Sequence, residues 1–338
     1  MPDIPLIAVT MGDPAGIGPE ILLKALSREE IYRVSKPLVL GDVDLLKSVS
    51  KQIGSLSFHV IATPNEVTGR PGVVEVIPVS TLNKDSCMPG EPTRDGGKAM
   101  VDYILKAVEL TTGSQVSAMV TCPINKGLMH LAGYTFAGHT ELLAHLTHSA
   151  DYVMMLAGER LRVALATTHC ALRDVAQRLT KDMIVKTVMI TSQALEEYFA
   201  ISRPRVAVAA LNPHAGESGL FGREDTEIVQ PAVEEAQKQG LIIEGPLPAD
   251  TVFYHAYKGQ FDAVVALYHD QGLIPLKLLH FTDAVNITLG LPIVRTSVDH
   301  GTAYDIAGKG IADPSSLVAA IKMAARIAGT RRKVAGLM

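Results

Sequence analysis

Short apolar runs rich in β-branched residues alternate along the chain with longer amphipathic stretches, and no unit recurs at a fixed period. The runs predict buried strands at residues 6–10, 37–41, 116–121, 161–168, 205–211, 262–268 and 293–297. In the stretch 98–112, Met100, Ile104 and Ala107 fall on one helical face, and Gly113 ends it. Thr180 predicts the N-cap of another helix, with Ile184, Val188 and Leu195 inward. The last helix is expected to open at Asp313, with Pro314 in its first position, and to close near Gly329. Strand and helix alternating in this way predict an α/β fold, its mainly parallel sheet covered by helices on both faces.

The stretch 88–97, MPGEPTRDGG, reads as the most loop-like segment, and a second break falls at 290–292. A discontinuous layout follows, with residues 1–125 and 290–338 in one domain and 126–289 in the other. The length of 338 residues suits two cores.

Composition narrows the function classes. A net charge of -4 gives no basic surplus for nucleic acid or an acidic membrane. Every apolar window is interrupted before the roughly 18 residues a spanning helix needs. Asp3 and the lack of a basic leader argue against a signal peptide, so a cytoplasmic location is expected. Cys87, Cys122 and Cys170 lack CxxC spacing, which fits a reducing compartment and no disulfide framework. Eleven histidines against three cysteines make imidazole and oxygen the expected metal ligands.

Three of those histidines share a placement. His169, His214 and His269 each come just after the carboxyl end of a predicted strand, in the loops TTHC, NPHAGE and YHDQG. In an open parallel sheet that edge is where ligand crevices form. Three imidazoles there can hold a divalent metal with one position open for substrate. Asp250 and Asp270 are candidates for an outer-shell acceptor or another oxygen ligand. Each histidine could equally make an ordinary loop hydrogen bond, and it is the recurrence that raises the metal reading. His139 and Thr140, in GHTE at a helix start, suit an anionic substrate group, although Thr140 also reads as a plain N-cap.

Gly12, Gly16 and Gly18, with Asp13 among them, lie between the first strand and the first helix, where backbone can approach a ligand. The spacing is not GxGxxG, which excludes a standard Rossmann site. Gly301 and Asp305 sit in HGTAYDIAGKG, which reads either as a tight connection or as a nucleotide-contacting loop. Lys277, Asn286 and Arg295 punctuate an apolar stretch, and a substrate phosphate or carboxylate would partner such cations if they are buried. A snorkelling lysine and a structural ion pair are the alternatives.

Together MGDPAGIGPE, TCPINKGLMHLAG, GHTELL, TTHCALRDV, LNPHAGESGLFGRED, LPADTVF, YHDQGLIPLK and NITLGLPIVRTSVDHGTAYDIAGKG resemble the 4-hydroxythreonine-4-phosphate dehydrogenase family of pyridoxal phosphate biosynthesis, over nearly the whole chain. GDPAGIGPE and HGTAYDIAGKGIADP also resemble GDGIGPE and HGSAPDIAGKGIANP of the isocitrate and isopropylmalate dehydrogenase superfamily. The resemblance implies that superfamily's α/β/α fold, two domains with a cleft between them, and NAD or NADP bound without GxGxxG. The domain formed by both chain ends would then carry nucleotide-contacting loops, with Gly12, Asp13, Gly16, Gly301 and Asp305 as cofactor contacts. The middle domain would carry the metal ligands and dimer contacts.

It also implies one divalent metal, zinc, magnesium or cobalt, on His169, His214 and His269, and substrate contacts at His139, Thr140, Lys277, Asn286 and Arg295. In the chemistry it implies, Asp250, Asp270 or a metal-bound hydroxide could serve as the general base. The implied assembly is a homodimer in which the partner chain donates the third metal ligand, acting on a small phosphorylated substrate. Cys122 departs from the glycine expected in TGP. A sister enzyme oxidising 4-phosphorylated threonate or erythronate would use the same residues. A three-histidine zinc hydrolase is the more distant alternative.

Overall fold

The computed structural model describes residues 4–54, 56–83, 87–136, 138–334 and 336; Asp3 lies outside them. The chain packs as two compact units, residues 1–149 with 291–329, and residues 150–290 with 330–338.

The first unit contains strands β1 (Leu6–Thr10), β2 (Lys36–Gly41), β3 (Ser57–Val60), β4 (Val73–Pro78) and β5 (Ala118–Thr121). Its helices in that stretch are α1 (Gly18–Leu26), α2 (Glu29–Val34), α3 (Val43–Ile53), α4 (Arg94–Thr112), α5 (Lys126–Leu131) and α6 (His139–Leu146). The second unit follows with β6 (Val153–Ala157), β7 (Arg162–Leu165), β8 (Arg205–Ala209), β9 (Ile242–Leu247), β10 (Ala263–Ala266) and β11 (Val285–Leu289). Its helices are α7 (Val175–Arg178), α8 (Lys181–Phe199), α9 (Gln230–Lys238), α10 (Ala249–Tyr257) and α11 (His269–Leu279). The chain then returns to the first unit for β12 (Arg295–Ser297) and most of α12 (Ser315–Val334).

In the first unit the strand order is β3-β4-β2-β1-β5-β12, with every neighbouring pair parallel. Thr10, Thr121 and Ser297 stand side by side at the ends of β1, β5 and β12, so the loops that follow leave from one edge. Met100, Ile104 and Ala107 of α4 pack with Ala8, Leu38, Leu40 and Met119. Fully burying a large apolar side chain of this kind contributes about 1.5–3 kcal/mol. Met129, Leu142 and Leu143 join the same cluster. Residues 126–149 therefore belong to the first unit, and the division falls after Ser149 rather than at 125.

In the second unit the order is β11-β6-β7-β10-β8-β9. β6 runs antiparallel to both β11 and β7, whereas β7, β10, β8 and β9 are parallel neighbours. Two helices depart from the sequence reading. α4 opens at Arg94, inside the expected loop, because Thr93 Oγ1 accepts from Gly96 N–H at 3.1 Å and caps it. α12 opens at Ser315, just after the expected Pro314, with Asp313 accepting from Ser315 N–H at 3.0 Å and Pro314 C=O from Val318 N–H at 2.9 Å. It runs on past Gly329 to Val334. Among the described residues, no helix is long and apolar enough to cross a membrane.

Candidate active site

Strands β7, β10 and β8 are consecutive parallel neighbours, so the loops carrying His169, His269 and His214 all leave the same edge of the second unit's sheet. Three polar residues absent from the sequence reading stitch that edge. Thr167 Oγ1 donates to Leu267 C=O at 2.6 Å, joining the ends of β7 and β10. Gln271 accepts from Leu267 N–H at 2.7 Å and donates to Ala210 C=O at 2.6 Å, joining β10 to β8. Asp225, 1% exposed, accepts from Leu211 and Asn212 N–H at 2.7 and 2.9 Å and anchors the loop that leads to His214.

The rings of His169 and His269 lie beside each other, tilted by 40°, with centroids 5.9 Å apart. His269 Nδ1 lies 2.7 Å from Asp270 Oδ1. A carboxylate there favours the tautomer with hydrogen on Nδ1, which leaves Nε2 as a lone-pair donor. His214 stands apart from this pair, in a left-handed turn that runs from His214 to Ser218, with Nδ1 3.9 Å from Glu217 Oε2. Among the described residues, no three His, Cys, Asp or Glu side chains gather closely enough to hold one metal ion. Asp250 lies exposed in the first turn of α10. Lys277 lies on α11, the helix that His269 opens, and Asn286 lies on β11. The Asn286 side-chain oxygen is sealed from solvent and has no hydrogen-bond partner.

The first unit holds a second group of the expected residues. His139 opens α6, behind Gly138, which provides no side-chain cap, and Thr140 follows it in the first turn. The Nε2 of His139 is buried without a partner. Burial, Arg295 and Lys126 together hold His139 well below the usual imidazole range, so the ring is neutral. Arg295, 2% exposed, donates from Nη2 and Nε to Thr121 Oγ1 at 2.8 and 3.2 Å. Burial lowers its guanidinium to about 9, and the Glu141 carboxylate works in the opposite sense.

The glycine loop after β1 has a tighter role than ligand approach. A Cβ on Gly12, whose φ is +75°, would lie 2.6 Å from Pro123 C=O, and one on Gly16 would lie 2.9 Å from Thr302 C=O. These positions let three loops pack on one another. Asp13, 1% exposed, accepts from Ala15 N–H and from the Tyr304 hydroxyl, and Asn125 Nδ2 donates to the same hydroxyl at 2.8 Å. Desolvation raises the Asp13 pKa despite those bonds. Gly12, Asp13 and Gly16 thus shape the edge from within, whereas Gly301 and Asp305 are exposed and a Cβ on Gly301 would meet nothing. Glu20 fastens the far end of this loop, accepting from Ala312 N–H at 2.8 Å and Gly310 N–H at 3.2 Å.

Residues 33–324 match the model of the pyridoxal phosphate biosynthetic protein PdxA family. The 4-hydroxythreonine-4-phosphate dehydrogenase of Desulforapulum autotrophicum is 51% identical over 322 residues, 95% of each chain. The D-threonate 4-phosphate dehydrogenase of Cupriavidus necator is 44% identical over 331 residues, covering 97% of this chain and 98% of that one. The crystal structure of a 4-hydroxythreonine-4-phosphate dehydrogenase from Klebsiella pneumoniae superposes with a TM-score of 0.89 at 44% identity, covering 96% of this chain and 98% of that one. With a family match over most of its length and relatives at this identity, the chain belongs to the PdxA family of pyridoxal phosphate biosynthetic proteins.

Proposed function

We propose that this protein is a metal-dependent, NAD(P)-linked dehydrogenase that oxidises 4-phosphooxy-L-threonine to its 3-oxo acid. Loss of carbon dioxide from that acid gives 3-amino-2-oxopropyl phosphate. The observation that carries the reading is the emergence of His169, His214 and His269 from three adjacent parallel strand ends, in a chain 51% identical to a relative of that name.

A zinc, magnesium or cobalt ion on these imidazoles would act as a Lewis acid, polarising the substrate hydroxyl and then the 3-oxo group. NAD or NADP would accept the hydride. Asp270 orients His269, and Thr167 and Gln271 hold the strand ends from which His169 and His269 emerge. Asp250, exposed in the first turn of α10, is the candidate base for the hydroxyl proton. His139, Thr140, Arg295 and Lys277 bind the substrate's phosphate and carboxylate. Asn286 offers its unpartnered oxygen to a substrate N–H or O–H donor. Gly301 and Asp305 contact the nicotinamide cofactor, while Gly12, Asp13 and Gly16 keep their loops in place.

The active form is a homodimer whose partner chain donates the third metal ligand. Support comes from the pairing of only His169 with His269 among the described residues, and from Ile274, Leu278 and Phe281, which expose apolar surface on and just after α11.

Relatives named D-threonate 4-phosphate dehydrogenase, at 44% identity, support a second reading with 4-phospho-D-threonate as substrate. Initial rates of nicotinamide reduction on both compounds, before and after chelation and metal replacement, test the assignment. The expected result is metal-dependent reduction with clear preference for 4-phosphooxy-L-threonine. Preference for the threonate transfers the assignment to the second reading, and hydrolysis without reduction defeats both.

A further inference from the structure

Lys126 is the first residue of α5, a position fixed from two sides by Asn125. The Asn125 side chain accepts from Leu128 N–H at 3.0 Å as the helix N-cap and donates to Tyr304 at 2.8 Å. From this anchored start the lysine runs to Gly138, where its Cε and Nζ lie 3.3 and 3.7 Å from the point a Cβ would occupy. The residue is exposed, and its ammonium makes neither hydrogen bond nor ion pair with any described residue. Glu141 Oε2 stands 3.5 Å from the same point without pairing with it.

The next residue after Gly138 is His139, with its sealed and unpartnered Nε2. Burial first, and then the positive charges of Arg295 and Lys126, disfavour protonation of that ring. Two cations and one carboxylate, Glu141, leave a local surplus of positive charge at the uncapped start of α6. An anion binding there meets fixed N–H groups, a helix dipole and an exposed ammonium. A solvated surface lysine explains the exposure, but not its packing against Gly138, the residue that leads into His139.

We propose that Lys126 is a further substrate-contacting residue whose ammonium binds a phosphoryl group, beside His139, Thr140 and Arg295. The assignment to the phosphate of the substrate rests on the function proposed above; the phosphoryl site itself does not.

The probe is inorganic phosphate, titrated calorimetrically into the full-length protein and into Lys126→Ala and Lys126→Arg variants, each checked for an unchanged circular dichroism spectrum and Tm. Removing one charge-assisted contact is expected to weaken phosphate binding about tenfold, with part of the affinity restored by arginine. In turnover, Lys126→Ala should raise KM for the phosphorylated substrate by a similar factor and leave KM for the nicotinamide cofactor unchanged. Phosphate binding that is equal in wild type and Lys126→Ala, or absent from both, overturns the proposal. A wild-type protein that oxidises neither phosphorylated substrate defeats the functional reading instead, and the phosphate titration still decides the role of Lys126.

Discussion

Gln271 occupies both ends of its amide with backbone groups that no strand partner satisfies, Leu267 N–H and Ala210 C=O, and it is 8% exposed. Replacing it with alanine strands one buried donor and one buried acceptor, at a cost of about 1–3 kcal/mol for each. Gln271→Ala should therefore lower the urea midpoint at constant m-value. An unchanged midpoint would mean that water replaces the amide. The strand-end placement of the three histidines was legible in the sequence because each follows its own apolar run. Gln271, Thr167 and Asp225 were not, because their partners are backbone groups of other segments, and only the β7-β10-β8 order brings those within reach. Cys122, which stands where glycine was expected, is fully buried with its Cβ against Gly12 and Gly18. Burial pushes its thiol well above the usual range, so it packs as a small apolar group rather than reacting.

Among the elements, the strands legible as apolar runs are mostly those buried along their length, and the missed ones carry polar interruptions. β4 contains Glu75, 2% exposed, which accepts from Thr68 and Gly69 N–H at 2.9 and 2.8 Å and so has its carboxylate hydrogen-bonded inside a strand. β9 contains Gly245 and Pro246, β11 contains Asn286 and Thr288, and β3 is largely exposed. β6 is apolar throughout, but it is a short antiparallel strand paired with β7 and β11 rather than a member of a βα unit. The Thr180 cap of α8 was legible because the side chain and the Met183 amide it serves are close in sequence. At the start of α12 the Ser315 hydroxyl and amide hold the Asp313 carboxyl below its ordinary value of 3.8. A depressed carboxylate stabilises the fold above that ordinary value and loses its contribution as the pH falls through its lower folded value. Asp313→Ala should therefore cost about 0.5–1 kcal/mol at neutral pH, the lower end for a cap because the residue is exposed. Urea unfolding at a series of pH values should show the gap from wild type closing below pH 3.8. A gap constant through the acid range would assign the loss to helix propensity instead of the charged cap.

At the scale of the whole molecule, the second unit exposes apolar side chains on one helix. Ile274 and Leu278 lie four residues apart on one face of α11, Leu278 is 85% exposed, and Phe281 just beyond is 79% exposed. His269 opens the same helix, so an interface on this face would lie on the element that carries a proposed metal ligand. A two-fold axis would then repeat the arrangement in the second copy. Because the His169 and His269 rings of one chain already lie beside each other at 5.9 Å, the ligand expected to cross is His214. Subunit mixing tests this. In a dimer of His169→Ala and His214→Ala chains, the first site has lost its own His169 and the partner's His214. The second keeps its own His169 and His269 and receives an intact His214. Random exchange puts half of the chains in such dimers, each with one working site of two, so activity should return to about a quarter of wild type. Mixing His169→Ala with His269→Ala should restore nothing, because both lost ligands come from the same side of their sites. Recovery in that second mixture, with none in the first, would make His269 the ligand that crosses. Failure of both mixtures after proven exchange would place all three ligands in one chain.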